Sequence, residues 1–221
     1  MGWKAILFDN DGTLLDTNTA HINAWHRALL RLGHEIPLDR IAPEIGKGGD
    51  KLVPALLGEA LEREQGVQIR QAETEEFLAI AARTRFVLFD GVQELLQALR
   101  ARGLRTCIAT SSSEEHFDAM YKESGLDLRS QVDRVITKKK SMESKPAPDL
   151  IEAAVAQLGM APEDCVMVGD TPHDGEASRR AGVSFIGVLC GGNARETLER
   201  AGAQRIYRWP RELLRDLDQL L

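Results

Sequence analysis

The sequence predicts an α/β protein, a parallel sheet covered by helices on both faces with a helical module inserted after the first strand. Three observations carry that prediction. Short apolar runs alternate with segments of helical period along most of the chain. The first, second and fourth runs stop at polar residues, Asp9 to Gly12, Thr110 to Ser112 and Gly169-Asp170. The alternation fails in one block, from about Asp16 to Phe89, where helical patterns occur without a convincing buried strand.

The elements follow in order. Ala5 to Phe8 reads as a buried strand that ends at the turn Asp9 to Gly12. Helical patterns then cover Ala20 to Leu32, Lys51 to Gln65 and Glu73 to Arg85, with the Gly-rich stretch Ile45 to Asp50 between the first two. Val92 to Arg102 places Val92, Leu95, Leu96 and Leu99 on one helical face. It leads through Gly103 into a second strand, Leu104 to Ala109. Val132 to Ile136 is the third strand. A helix over Leu150 to Leu158 follows Pro146 and Pro148, with Asp149 as the expected N-cap. Val166 to Val168 is the fourth strand, and a helix over Gly175 to Ala181 stops at Gly182. Phe185 to Leu189 is the fifth strand, and Arg205 to Tyr207 a short edge strand. Strand and helix in regular alternation build a parallel sheet. The expected division is therefore a core made of residues 1–15 and 90–221, with residues 16–89 as a helical cap.

With 221 residues, 43% hydrophobic and 28% charged, the chain is ordinary for a globular protein and long enough to bury a core without staples. A net charge of -6 argues against nucleic acid as a partner, which needs a basic face, and leaves a small anionic substrate open if cations are focused locally. Cys107, Cys165 and Cys190 are odd in number, far apart and set in or beside apolar runs, as expected for small buried hydrophobes in a reducing compartment. No signal segment is readable, and no apolar stretch reaches the ~20 residues that span a bilayer. A cytoplasmic protein, free of membrane and monomeric or weakly dimeric, is expected. Lys138 to Lys140 reads as a solvated loop. Trp3 and Trp209 read equally as interface anchors or as core.

In a parallel sheet, ligands bind beyond the carboxyl ends of the strands. The first strand ends in Asp9-Asn10-Asp11-Gly12-Thr13, the second in Thr110-Ser111-Ser112, and the fourth in Gly169-Asp170, with Asp174 four residues on. Lys145 stands in the loop before the Pro146–Pro148 segment. Asp9, Asp11, Asp170 and Asp174 should therefore converge. Two like charges about 4 Å apart repel by roughly 4 kcal/mol at an effective dielectric near 20. Several such pairs rival the stability of a whole domain, so the site must protonate some groups or hold a cation. The donors are hard oxygens without a neighbouring histidine or cysteine cluster, which suits Mg²⁺ better than Zn²⁺.

The run Phe8 to Asp16 resembles the first signature of the haloacid-dehalogenase superfamily, and Thr110, Lys145 and Gly169-Asp170-x-x-x-Asp174 resemble the second, third and fourth in the right order. The helical insert is similar to the cap of the beta-phosphoglucomutase-like and phosphoglycolate-phosphatase-like branch. The resemblance implies a Rossmann-like core and a Mg²⁺-dependent enzyme acting on a small-molecule phosphate ester. It implies that Asp9 attacks phosphorus and forms an aspartyl-phosphate. Asp11 would be general acid for the leaving oxygen and then base for water. Mg²⁺ would be held by Asp9, the backbone carbonyl of Asp11 and Asp170, with Asp174 either direct or one layer out. The Thr110 hydroxyl, the Ser111 backbone N–H and Lys145 would bind the transferring group, and Ser111 could replace Thr110 in the hydroxyl role.

Dehalogenases and phosphonatases of this superfamily lack the second carboxylate that this chain keeps as Asp11, which favours phosphoester chemistry. The alternative is a phosphomutase of the beta-phosphoglucomutase type. His21 and Trp25 resemble positions of those mutases, and His21 either helps to order the acid/base residue or is a polar helix residue near the hinge. Against a mutase, Gly169-Asp170 stands where mutases carry Glu-Asp, and the loop Gly46 to Lys51 lacks their phosphate-binding arginine. A hydrolase is therefore expected. Lys47 in that loop is the candidate for substrate selection, with an ordinary helix–helix connection as the alternative.

Overall fold

The structure is a computed structural model and describes residues 2–220, so the outermost residue at each end of the expected core lies outside it. Six strands form one sheet: β1 (Ala5–Phe8), β2 (Arg105–Ser113), β3 (Arg134–Lys138), β4 (Cys165–Gly169), β5 (Ser184–Val188) and β6 (Arg205–Tyr207). The spatial order is β3-β2-β1-β4-β5-β6, and every pairing is parallel. The order reverses between β1 and β4, which opens a crevice beyond their carboxyl ends.

Helices α1 (Asn18–Arg31), α2 (Leu38–Ile41), α3 (Gly49–Leu57) and α4 (Glu59–Ala81) follow β1. Then come α5 (Val92–Ala101), α6 (Glu114–Lys122), α7 (Asp149–Leu158), α8 (Pro172–Arg180), α9 (Arg195–Arg200), α10 (Pro210–Arg215) and α11 (Leu217–Leu220). β1 is buried on both faces because its side chains alternate. Ile6 and Phe8 enter one apolar cluster with Leu95 and Leu99 of α5, Phe117 of α6 and Leu213 of α10. Ala5 and Leu7 enter the other, with Ile151 of α7, Ala177 of α8 and Leu198 of α9. Each fully buried Leu, Ile or Phe contributes about 1.5–3 kcal/mol, so these clusters fix the sheet and with it the strand ends.

The insert has a third cluster of its own: Trp25, Leu29, Ile41, Ile45, Leu52, Val53 and Ile69. Ala20, Ala24, Phe77 and Ala81, from α1 and α4, pack instead into the first core cluster. The two outer helices of the insert are thus seated on the sheet domain.

Several boundaries differ from the sequence expectation. The insert breaks at Gly58, whose φ of 85° ends α3, and α4 then runs unbroken through Gly66 to Ala81. β2 continues to Ser113, four residues past its apolar run, after a register shift against β3. Asp149 does not cap α7. Pro148 holds the cap position, and Asp149 Oδ2 accepts from the Glu143 amide at 2.9 Å. α8 starts at Pro172 rather than Gly175, because Thr171 and Asp174 form a reciprocal capping box. Trp3 packs against the first core cluster, whereas Trp209 is 40% exposed and lies 5.9 Å from the Phe89 ring. Among the described residues the three cysteines are free, and burial pushes the Cys107 and Cys165 thiols up to about 12 and about 11. No helix among the described residues is long and apolar enough to cross a membrane.

Candidate active site

The Asp9 amide continues the sheet by donating to Val168 O at 2.9 Å, so its side chain emerges at the reversal point. Asp170 leaves the neighbouring strand β4 at the same level. Asp174 reaches the spot from the first turn of α8. Oxygens of Asp9, Asp170 and Asp174 lie within 4.8 Å of one another, and all three residues are buried. The turn between Asp9 and α1 needs Gly12: its φ is 76°, and a Cβ there would stand 2.3 Å from Asn18 Nδ2 and 2.4 Å from Asp170 Oδ2.

Lys145 is fully buried and brings an ammonium into this cluster, 2.8 Å from Asp9 Oδ1 and 2.7 Å from Asp174 Oδ1. Burial disfavours its charge, yet Asp174 and Asp9 hold it protonated above its ordinary range. A single cation does not offset three carboxylates. Burial pushes the Asp9 carboxyl well up against the pull of Lys145, with Asp174, Asp170 and Asp11 adding to the rise. Burial and Asp174 push Asp170 up to about 7, although Thr13 Oγ1 donates to its Oδ1 at 2.9 Å and Asn18 Nδ2 to its Oδ2 at 3.1 Å. Asp174 Oδ1 is buried and accepts no aligned hydrogen bond. A compact set of hard oxygens, short of positive charge and with a lone pair to spare, fits a divalent cation such as Mg²⁺.

Asp11 does not join that cluster through its side chain. Its carboxylate turns away and accepts four bonds: Thr17 Oγ1 at 2.7 Å, His21 Nε2 at 3.1 Å, Ser112 Oγ at 2.9 Å and Thr110 Oγ1 at 3.1 Å. Burial works against ionisation, but His21 and these hydroxyls hold the carboxyl well below the usual range. His21 in turn is raised to about 9, because Asp11 and Glu73 outweigh the burial that opposes its charge. The expected convergence of four aspartates is therefore three in one cluster and one beside it. The reason is local: α1 presents Thr17 and His21, and β2 presents Thr110 and Ser112, as a ready donor set.

Thr110 and Ser112 share a face of β2, as strand alternation requires, and both point at Asp11. The Ser111 hydroxyl is buried without a hydrogen-bond partner among the described residues, and Ser111 lines the cavity described next. That cavity, about 650 Å³, lies over Asp9 and Asp11. Trp25, Lys47, Arg70 and Glu73 line it from the insert, and His116 and Lys138 to Lys140 from the core. Lys138 to Lys140 is thus no plain solvated loop. Lys138 is held by Met142 O and stands 3.6 Å from Asp50, while Lys139 and Lys140 form no ion pair among the described residues. Lys47 is on the cavity wall, ion-paired to Glu44.

Gly46 and Gly48 meet the core itself. A Cβ on Gly48 would stand 2.0 Å from Ser144 Oγ, and one on Gly46 2.7 Å from Thr171 Cγ2. Ser144 Oγ donates to Asp50 Oδ1 at 2.5 Å, and Lys51 pairs with Glu143 at 2.7 Å. The insert is docked over the site, one residue away from Lys145.

Sequence reasoning placed Thr13 and Ser112 at the strand ends without a role and missed Thr17, Asn18, Glu73 and His116. Two had a usable signal: Thr17 is one helical turn before His21, and Ser112 is two residues from Thr110 on a strand. Glu73 and His116 had none, since 43 residues separate them.

Comparison with known proteins agrees with this geometry. A family model described as haloacid dehalogenase-like hydrolase matches residues 3–182. N-acetylmuramic acid 6-phosphate phosphatase of Pseudomonas aeruginosa is 30% identical over 100% of this chain and 97% of its own length. Phosphoglycolate phosphatase of Nitrosospira multiformis is 32% identical over 86% of this chain and 85% of its own length. The crystal structure of a hydrolase from Pseudomonas syringae superposes with a TM-score of 0.89 at 30% identity, over 99% of both chains. With the signature residues assembled at one rim of the sheet, the chain belongs to the haloacid dehalogenase-like hydrolase family.

Proposed function

We propose that the chain is a Mg²⁺-dependent phosphatase of small phosphomonoesters, with Asp9 as nucleophile and residues 16–89 as a cap over the ester. The observation that carries this reading is the buried cluster of Asp9, Asp170, Asp174 and Lys145, set beside a separately held Asp11. Asp9, Asp170, Asp174 and the Asp11 carbonyl would hold the ion, which supplies charge neutralisation between nucleophile and phosphate.

The chain's own residues do the rest. An Asp9 oxygen bonds to phosphorus as the ester P–O bond breaks, and the departing oxygen takes a proton from Asp11. Water then attacks the phosphoryl group, gives a proton to Asp11, and the Asp9–phosphorus bond breaks. The ionised Asp11 described above has the protonation state needed in this second half. The proton on His21 is the nearest supply for the first half. Lys145, the Ser111 backbone N–H and the Thr110 hydroxyl, its proton turned from Asp11 to the substrate, are assigned to the oxygens of the transferring group. The free hydroxyl of Ser111 supports its place there.

Lys47, Lys139 and Lys140 on the cavity wall suit an ester whose remainder is anionic or polyhydroxylated. The two phosphatases similar to this chain are named for different esters, so the substrate is proposed at the level of the small phosphomonoester. The test is phosphate release from p-nitrophenyl phosphate with Mg²⁺ or with EDTA, for the natural chain and for Asp9→Asn. Activity that needs Mg²⁺ and disappears in Asp9→Asn is expected. Equal activity in both proteins overturns the assignment, and isomerised sugar phosphate from glucose 1-phosphate marks a mutase instead.

A further inference from the structure

Glu73 is a carboxylate buried in the middle of α4, on the cavity wall, 5% exposed. A carboxylate is removed from water at considerable cost unless it is paired, and this one stands between two imidazoles. Its Oε1 is 3.9 Å from His21 Nδ1, and its Oε2 is 3.2 Å from His116 Nε2. His116, on α6, is held in turn by Ser113 Oγ, 2.7 Å from its Nδ1. Phe77, one turn further along α4, stacks on His21 at 4.2 Å and lies 4.7 Å from His116. The contacts form one line: Asp11, His21, Glu73, His116, Ser113. The line starts on the sheet, crosses the insert twice and returns to the sheet.

The two ring nitrogens of His21 therefore face carboxylates on opposite sides, Asp11 at Nε2 and Glu73 at Nδ1, while Phe77 covers a ring face. The ring is held by its hydrogen bond to Asp11 and by the Phe77 stack, and the Glu73 charge, in ionic contact at 3.9 Å, draws the opposite edge toward α4. We propose that Glu73, anchored by His116, is a positioning residue that holds His21 and through it the carboxylate of Asp11 in line with the leaving oxygen. The inference rests on the reading of Asp11 as acid and base.

The test compares kcat/KM for phenyl phosphate and p-nitrophenyl phosphate, which share a ring but differ in leaving group. Phenoxide needs a proton as it departs far more than p-nitrophenoxide does. Misplacing the acid therefore penalises phenyl phosphate selectively, whereas loss of a mere strut lowers both rates together. Asp11→Asn provides the reference. Glu73→Leu keeps the volume and deletes both contacts, Glu73→Gln keeps one acceptor oxygen, and His116→Gln breaks the line at its outer end. We expect Glu73→Leu to lower kcat/KM for phenyl phosphate about tenfold further than for p-nitrophenyl phosphate. Glu73→Gln and His116→Gln should fall between Glu73→Leu and the natural chain. If Asp11→Asn discriminates between the esters and none of the other three does, the positioning role is wrong and the acid/base reading stands. If Asp11→Asn does not discriminate either, both are wrong.

Discussion

Asp170→Asn removes one negative charge from the acidic cluster and should stabilise the metal-free protein at pH 8 while abolishing turnover. The size of the effect follows from the Asp170 carboxyl, which the fold moves from 3.8 to about 7. Keeping such a group ionised at pH 8 costs on the order of 4 kcal/mol. Asparagine does not carry that cost, but its amide nitrogen cannot accept the bond from Asn18 Nδ2, a loss of about 1 kcal/mol. A net gain of roughly 3 kcal/mol corresponds to about 6–12 °C in Tm for a chain of this length. The sign of the pH dependence is fixed as well. A carboxyl raised in the folded state favours folding fully below 3.8, and that contribution is lost as pH rises to about 7 and beyond. The gain from Asp170→Asn should therefore be large at pH 8 and near zero at pH 4. In the natural protein, added Mg²⁺ should raise Tm more at pH 8 than at pH 5. Thermal melts followed by circular dichroism, with EDTA or Mg²⁺ at each pH, measure all of this. A lower Tm for Asp170→Asn in EDTA at pH 8, or a Mg²⁺ shift equal at both pH values, refutes the electrostatic reasoning.

Lys145→Met leaves Asp9 and Asp174 without their shared cation and should destabilise the metal-free protein by about 3–5 kcal/mol, read from denaturant unfolding. An unchanged midpoint contradicts that. Gly48→Val places a branched side chain where Ser144 Oγ already lies 2.0 Å from a Cβ, so the insert must lift. The expected result is a fall in kcat/KM of at least about tenfold, as misplaced catalytic groups give, with Tm lowered only modestly. Lys47→Ala should alter the order of preference across a phosphate-ester panel more than it alters Tm, since Lys47 lines the cavity and, among the described residues, pairs only with Glu44. Unaltered kinetics across the panel remove that loop from the site.

What the sequence could reveal depended on how local each signal was. Ala5–Phe8 was legible to the residue, because a strand buried on both faces is an unbroken apolar run closed by a polar turn. The end of β2 was not, because the apolar run stops at Ala109 while pairing continues through residues whose hydroxyls serve Asp11. The expected gap between Gln65 and Glu73 is one that α4 does not make, and the break came at Gly58, where the backbone takes a positive φ. Asp9 and Asp170 were readable from the strand ends that one sheet rim gathers, and Asp174 from its place four residues on, in the first turn of α8. The turn of Asp11 away from their cluster was not, because it depends on four donors from α1 and β2. Glu73 and His116 were invisible for a related reason: each looks like an ordinary polar position of an amphipathic helix until α4 is laid against α6.

In the proposed reaction Asp9 takes the phosphoryl group. Rapid acid quench during turnover of a labelled phosphomonoester, followed by peptide mapping, tests it most directly. A transient phosphoryl adduct on the peptide containing Asp9, absent from Asp9→Asn, is the predicted result. Normal turnover without an adduct at Asp9, or with one elsewhere, contradicts it.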